Sequence, residues 1–549
     1  MKKILKLLTA ALTLMLLPMV LYPQFTDHKA LSLRLANLVR EHPDLCNIKS
    51  LGKTDRGRDI WLMTIGIGNK DEKPAIAIVG GIEGDDLTGR ELSAGFAATL
   101  LRHASDPQIS DLLGKITFYI FPDVSPDASE QFFSSKKYER NVNSRPTDDD
   151  RDFKVDEDPC EDMNNDGYIS LIRIEDPSGT YIESNEDRRI MVKADLSKGE
   201  TGRYLVYSEG IDNDKDGRFN EDGEGGICFN RNFTYNYEEF GLYSGPHPVS
   251  ETGSRAVADF LFDHFNIFAV VSFSPQANLL HASDLHESTN RNGNEQHDTP
   301  EQESERIITS VLRSDAVINK LVSERYREIT GALDSPPVVQ ANGNFAEWAY
   351  FHYGRYSFST PGWWFPVEKN ENPEAAYLKF ADKKGLKDVF IPWTEVAHPD
   401  FPGKKAEVGG IRPFMMKTPP CDTLETLINA HYEFITSVAA MHSGLEFLDV
   451  EAENLGKDIF RISLKVHNKG ILATCAEIGE RSIWTRVMRL SLLPSKGQSV
   501  ISGFKVQNIK RLNGNESAEF SWLVSGKGEI EILAGALNTG MINRKIELR

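Results

Sequence analysis

The sequence predicts an α/β domain followed by a small all-β sandwich, and three observations carry that prediction. An apolar strand, Ala75-Ile76-Ala77-Ile78-Val79, runs into the glycine loop Gly80-Gly81-Ile82-Glu83-Gly84-Asp85-Asp86, and a helix opens directly after it at Thr88, with Glu91 three residues on. Strands then alternate with helical stretches up to about residue 443. From residue 444 the period changes to two, with no helix between the strands.

Taken in chain order, residues 1–24 read as a secretory signal or an uncleaved anchor. Lys2, Lys3 and Lys6 precede the uncharged run Leu7–Leu21, which is short for a membrane span. Export to the periplasm, the cell surface or the medium is therefore expected, and this run is the only route to a membrane that the sequence offers. The large domain is expected over 25–443. It begins with an amphipathic helix over Leu31–Val39 that ends before His42-Pro43. The loop after Val79 places the carboxylates of Glu83 and Asp86 at the carboxyl edge of a strand, where α/β sheets carry their ligands. It reads as an active-site loop.

Acidic insertions interrupt this domain over 146–226. In Asp212-Asn213-Asp214-Lys215-Asp216-Gly217, side-chain oxygens alternate at positions one, three and five with glycine at six, the spacing of a calcium loop. Asp162, Asn164 and Asp166 before Gly167 repeat it. Position twelve holds Gly223 and Arg173 respectively rather than a bidentate glutamate, so further ligands such as Asp222 or Glu224 are needed from elsewhere. Calcium is the expected ion. A solvated acidic turn is the alternative.

Residues 444–549 form the sandwich. Phe460, Ile462, Leu464 and Val466 alternate with polar neighbours up to the turn Asn468-Lys469-Gly470, and Gly528-Glu529-Ile530-Glu531-Ile532 repeats the period. The alternation is core packing and marks no site.

Composition narrows the function classes. The chain has 549 residues and a net charge of −19, with 81 acidic against 62 basic side chains. That balance argues against nucleic acid and anionic membrane as partners and suits an exported protein that binds divalent cations. The five cysteines, Cys46, Cys160, Cys228, Cys421 and Cys475, form no Cys-x-x-Cys pair, which argues against a disulfide scaffold and a thiolate zinc site.

The stretch Gly52-Lys53-Thr54-Asp55-Arg56-Gly57-Arg58-Asp59-Ile60-Trp61, the strand after it and Gly89-Arg90-Glu91 resemble the zinc carboxypeptidases of the carboxypeptidase A type, and the resemblance extends over roughly residues 28–443. It implies a mixed sheet with helices on both faces, a zinc cofactor, and substrates that are peptides or proteins with a free carboxyl terminus. In that family the glycine loop carries His-x-x-Glu, two zinc ligands, and this chain has Glu83 and Asp86 there. The third ligand, a histidine closing a strand, corresponds to Ser274. His281 and His286 are the nearby substitutes. The catalytic glutamate corresponds to Pro361 and the substrate-capping tyrosine to Val339. By contrast Phe229-Asn230-Arg231-Asn232 keeps the family's Asn-Arg-Asn element, so Asn230 and Arg231 are expected to grip a peptide carboxylate through charge-assisted hydrogen bonds. Arg140 or Arg145 corresponds to the carbonyl-polarising arginine.

Five departures within matched flanks predict a fold without its hydrolytic machinery. The leading expectation is an exported, catalytically inactive protein that binds peptide carboxyl ends through Asn230 and Arg231. One alternative is an active metallocarboxypeptidase with a shifted ligand set that includes Glu83 and Asp86. The other is a calcium-stiffened structural surface protein.

Overall fold

The computed structural model of the chain describes residues 25–149, 151–282, 308–332, 334–336 and 339–549. The expected signal or anchor over 1–24 and His286 lie outside them. Among the described residues no helix is long and apolar enough to cross a membrane.

A mixed sheet organises the first part of the chain. Its strands are β1 (Cys46–Lys53), β2 (Asp59–Ile65), β3 (Ala75–Val79), β4 (Thr117–Phe121), β9 (Ile267–Phe273) and β10 (Tyr356–Thr360), in the order β1-β2-β4-β3-β9-β10. β1, β2 and β4 pair antiparallel, whereas β4, β3, β9 and β10 run parallel. Parallel strands are covered on both faces, which explains why all five side chains of β3 are buried. Ile76 and Ile78 point to one core with Leu35, Leu92, Phe96, Val322 and Ile435. Ala75, Ala77 and Val79 point to the other, with Val257, Leu261, Phe345 and Trp348. Helices His28–Glu41, Leu87–Arg102, Arg313–Thr330 and Leu424–Ala440 cover the first face, and Thr252–Asp263 and Phe345–Phe351 the second.

The first helix is longer than the apolar stripe suggests, because Asp27 caps it by accepting from the Ala30 amide. After β3 the helix begins at Leu87, one residue earlier than expected, and its cap is Asp86 rather than Thr88. Glu91 makes no capping box. It accepts from Thr26 and pairs with Arg34 at 3.2 Å.

The insertion region supplies four strands of a second, antiparallel sheet, and residues 390–411 supply the other two. β5 (Leu171–Glu175), β6 (Tyr181–Glu183), β7 (Met191–Lys193), β8 (Tyr204–Ser208), β11 (Phe390–Val396) and β12 (Ala406–Ile411) order as β11-β12-β5-β8-β6-β7. From Leu445 onwards two antiparallel sheets pack face to face. One is β13 (Leu445–Gly456), β14 (Ile459–Asn468), β18 (Glu516–Ser525) and β16 (Ser499–Ser502), and the other β17 (Val506–Ile509), β15 (Met488–Leu493), β19 (Gly528–Ala536) and β20 (Gly540–Leu548). Phe460, Ile462, Leu464 and Val466 of β14 meet Leu490, Ile530 and Ile532 across the gap.

Candidate functional site

Parallel register brings three distant loops to one edge. Val79 sits beside Ser272, and Phe273 beside Thr360, so the segments that begin at Gly80, Ser274 and Pro361 all leave the carboxyl ends of adjacent strands. Gly81 takes φ +65°, and a Cβ there would lie 2.4 Å from Asp123 Oδ1, so the loop requires glycine.

Glu83 faces inward. Asn230 Nδ2 donates to its Oε1 at 2.6 Å, and Asn141 Nδ2 donates to its Oε2. Asn141 is held in turn by the Gly84 amide, which donates to its Oδ1 at 2.7 Å. Asp86 accepts from the Thr88 amide at 2.9 Å as the helix cap. Asp85, between them, binds Lys417, whose Nζ also lies 2.9 Å from Glu139. Burial pushes the Glu83 carboxyl above its usual range, with the neighbouring Asp85 adding to the effect. Burial likewise pushes Asp86 up to about 7.

The family's cofactor can be tested against these donors. Zinc favours imidazole and thiolate nitrogen and sulfur, with carboxylate as a minority ligand. Here both oxygens of Glu83 face amide N–H groups, Asp86 is engaged by a helix terminus, and the buried Ser274 hydroxyl bonds Ser359 Oγ at 2.7 Å. His281, the described candidate for a substitute ligand, is exposed and directs Nε2 to the Pro336 carbonyl at 2.7 Å. The residues present do not fit zinc. Pro361 follows β10 and has no group that takes a proton, and Val339 is 46% exposed.

The arginine positions differ from the sequence expectation in an instructive way. Asn230 is buried and both ends of its amide are engaged within the protein, Nδ2 with Glu83 and Gln276 and Oδ1 with the Phe345 amide at 3.0 Å. It is therefore not free to hold a ligand carboxylate. Arg140 is buried, donates to the Asn143 carbonyl and Ser144 hydroxyl at 2.7 Å each, and lies 3.4 Å from Glu224. Arg145 pairs with Glu251 at 2.7 Å, and it does not line the cleft beside Arg231. Arg231 is different. It is exposed, with one hydrogen bond to the Leu242 carbonyl at 3.4 Å and no carboxylate within 4 Å among the described residues.

Arg231 opens into a cleft of about 680 Å³, shared with Arg140, Asn141, Tyr243, Asp85, Glu139, Glu221 and Glu224. Arg412 lines it as well. Its guanidinium lies over the Tyr168 ring, 4.4 Å from the centroid, and its Nε is buried without an acceptor. Sequence reading missed Arg412, Asn141 and Lys417. Only Asn141 had a local signal, since it stands next to Arg140. Trp363 and Phe365 pack with Phe380 and Tyr377 rather than lining this cleft.

In the acidic insertions, Asp212, Asp214 and Asp216 bring oxygens within 4.8 Å of one another. Asp162 accepts from the Asp166 and Gly167 amides, Asn164 from Asp166, and Asp166 from Tyr168, which closes that loop on its own backbone. Of the two supplementary ligands, Glu224 pairs with Arg56, and Asp222 accepts from the Asp149 amide at 3.1 Å.

Residues 33–171 match the family model described as zinc carboxypeptidase. Residues 444–547 match a domain of unknown function. Over part of its length the chain is similar to mouse carboxypeptidase M, 28% identical over 122 residues, which is 21% of this chain and 28% of the relative. It is also 32% identical over 121 residues to human carboxypeptidase D, 21% of this chain and 9% of that one. The match thus spans less than a third of these relatives' length. Among solved structures, carboxypeptidase A from Helicoverpa armigera superposes over 76% of this chain and 73% of its own, with 14% identity and a TM-score of 0.41. Glu83, Asp86, Arg140, Asn141 and Arg145 lie inside the stretch that matches zinc carboxypeptidases, and Asn230, Arg231, Ser274, Val339 and Pro361 lie beyond it.

Proposed function

We propose that this protein is an exported, non-hydrolytic carboxypeptidase relative that holds the carboxyl terminus of a peptide against Arg231. The observation that carries the proposal is an exposed guanidinium in a cleft, with no carboxylate within 4 Å of it among the described residues. A planar fork of donors suits a terminal carboxylate, which accepts two parallel charge-assisted hydrogen bonds. Arg412, with its unpartnered Nε in the same cleft, supplies a second positive charge. Asn230 acts from behind, as the residue that holds Glu83 and so fixes the backbone from which Arg231 projects. Hydrolysis has no support from the loop residues, since Glu83 is held by amides and Pro361 replaces any base. Export rests on the lysines and uncharged run of residues 1–24.

Calorimetric titration of matched peptides tests it. A free-acid peptide should bind, whereas its amidated twin and the Arg231→Glu variant should each bind at least about tenfold more weakly, or about 1.4 kcal/mol. Equal binding of the acid and the amide would refute the reading.

A further inference from the structure

The acidic insertion contains a second cluster of carboxylates that neither calcium-loop spacing describes. Asp152, Glu157 and Asp214 each place an oxygen within 4.8 Å of the others. The Glu157 carboxylate also faces that of Asp222. Asp222 is 1% exposed. Its Oδ1 accepts from the Asp149 amide at 3.1 Å, but its buried Oδ2 has no donor, and neither oxygen of Glu157 has one.

Two carboxylates cannot hydrogen-bond each other without a proton, and buried oxygens of this kind need a donor or a cation. Lys154 is the cation nearby, 2.6 Å from Asp152 and 3.8 Å from Glu157, yet it is 61% exposed and carries one charge against four. The arrangement is therefore incomplete as it stands. Its donors are all oxygen, and they converge from residues 152–157, 214 and 222, a set that suits a hard divalent ion with flexible coordination.

We propose that Asp152, Glu157, Asp214 and Asp222 hold a calcium ion that ties the 152–157 arm to the 212–222 loop. Asp214 also belongs to the Asp212–Asp216 group, so the ion lies against that loop's other carboxylates. Between and beside these ligands Asp149, Glu221 and Glu224 line the cleft, and calcium thereby orders one wall of it.

The test uses the full chain, stripped with a chelator and titrated with calcium chloride by calorimetry, with thermal unfolding and trypsin digestion in parallel. Calcium should raise the Tm and slow cleavage after Arg151 and Lys154. The Glu157→Gln variant and the Asp222→Asn variant should each bind one calcium fewer than the parent and lose the Tm rise. In calcium-free buffer both variants should be at least as stable as the parent, because each removes a like charge, and that keeps a folding defect distinct from a lost ligand. A parent that does not respond to calcium, or variants that bind and shift as the parent does, would overturn the proposal. Because calcium binding is read without any peptide, its outcome is independent of the Arg231 reading.

Discussion

Asn230 Nδ2 donates to Glu83 Oε1 at 2.6 Å, across 147 residues of chain, and this one bond joins the two segments that resemble a peptidase site. Asn141 takes the other oxygen of Glu83, so two neutral amides surround a carboxylate at the strand edge. The amides do for Glu83 what a cation would do, and they do so without creating an electrophile.

Removing one amide should be costly. Asn230→Ala leaves Glu83 Oε1 buried without its donor, and the expected loss is about 1–3 kcal/mol in urea unfolding. Asn230→Asp should lose more, because it sets a second carboxylate against Glu83. An unchanged midpoint for the alanine variant would mean that the bond contributes nothing to folding.

Asp86 sets a pH dependence. Its carboxyl is raised by burial to about 7 in the folded protein, against about 3.9 for an unperturbed aspartate. Between those values the folded state keeps a proton that the unfolded state has released, so this group's contribution to stability is intact below about pH 4 and is lost as the pH rises toward 7. Asparagine caps helices as well as aspartate does. Asp86→Asn should therefore flatten the Tm against pH profile between pH 4 and 8 and raise stability at the alkaline end. A variant with the parent's profile would show that Asp86 ionises normally.

The strand, the glycine loop and the sandwich were legible in the sequence because each is local. Ala75–Val79 announces a strand covered on both faces, and the alternation at Phe460–Val466 announces a sheet with one face inward. The cleft was not legible for the opposite reason. Lys417 meets Asp85 across 332 residues, and Arg412 reaches the same cavity from the end of β12. The second sheet was hidden too, since β6 and β7 span three residues each and carry no readable period. Spacing singles out Asp212, Asp214 and Asp216, whereas Glu157 comes beside Asp214 only through folding.

Metal content separates the readings of the strand edge. After dialysis against trace zinc and calcium, mass spectrometry of the purified protein should find no stoichiometric zinc, because Glu83 and Ser274 are already hydrogen-bonded and no imidazole accompanies them among the described residues. One zinc per chain would reopen the hydrolytic reading.

The sandwich is fastened to the α/β part by a buried arginine. Arg355, 3% exposed, donates through Nε to the Ile267 carbonyl at 2.6 Å, and through Nη1 and Nη2 to Thr485 Oγ1 and the Trp484 carbonyl at 2.7 and 2.6 Å, while stacking on Tyr353. Nearby, Asp315 accepts from the Glu477 and Ile478 amides at 2.7 and 3.0 Å and from the Tyr350 hydroxyl at 2.9 Å. Hydrogen bonds to charged groups contribute about 1.5–3 kcal/mol each, so Arg355→Ala should cost about 3 kcal/mol or more. Lysine cannot reproduce the fork, and Arg355→Lys should recover only part of the loss. Because the bonds cross from residues 267 and 353–355 to residues 484–485, the variant should also separate unfolding of the sandwich from that of the α/β part, giving two urea transitions where the parent gives one. A single transition at the parent's midpoint would show that the two parts fold without help from this contact.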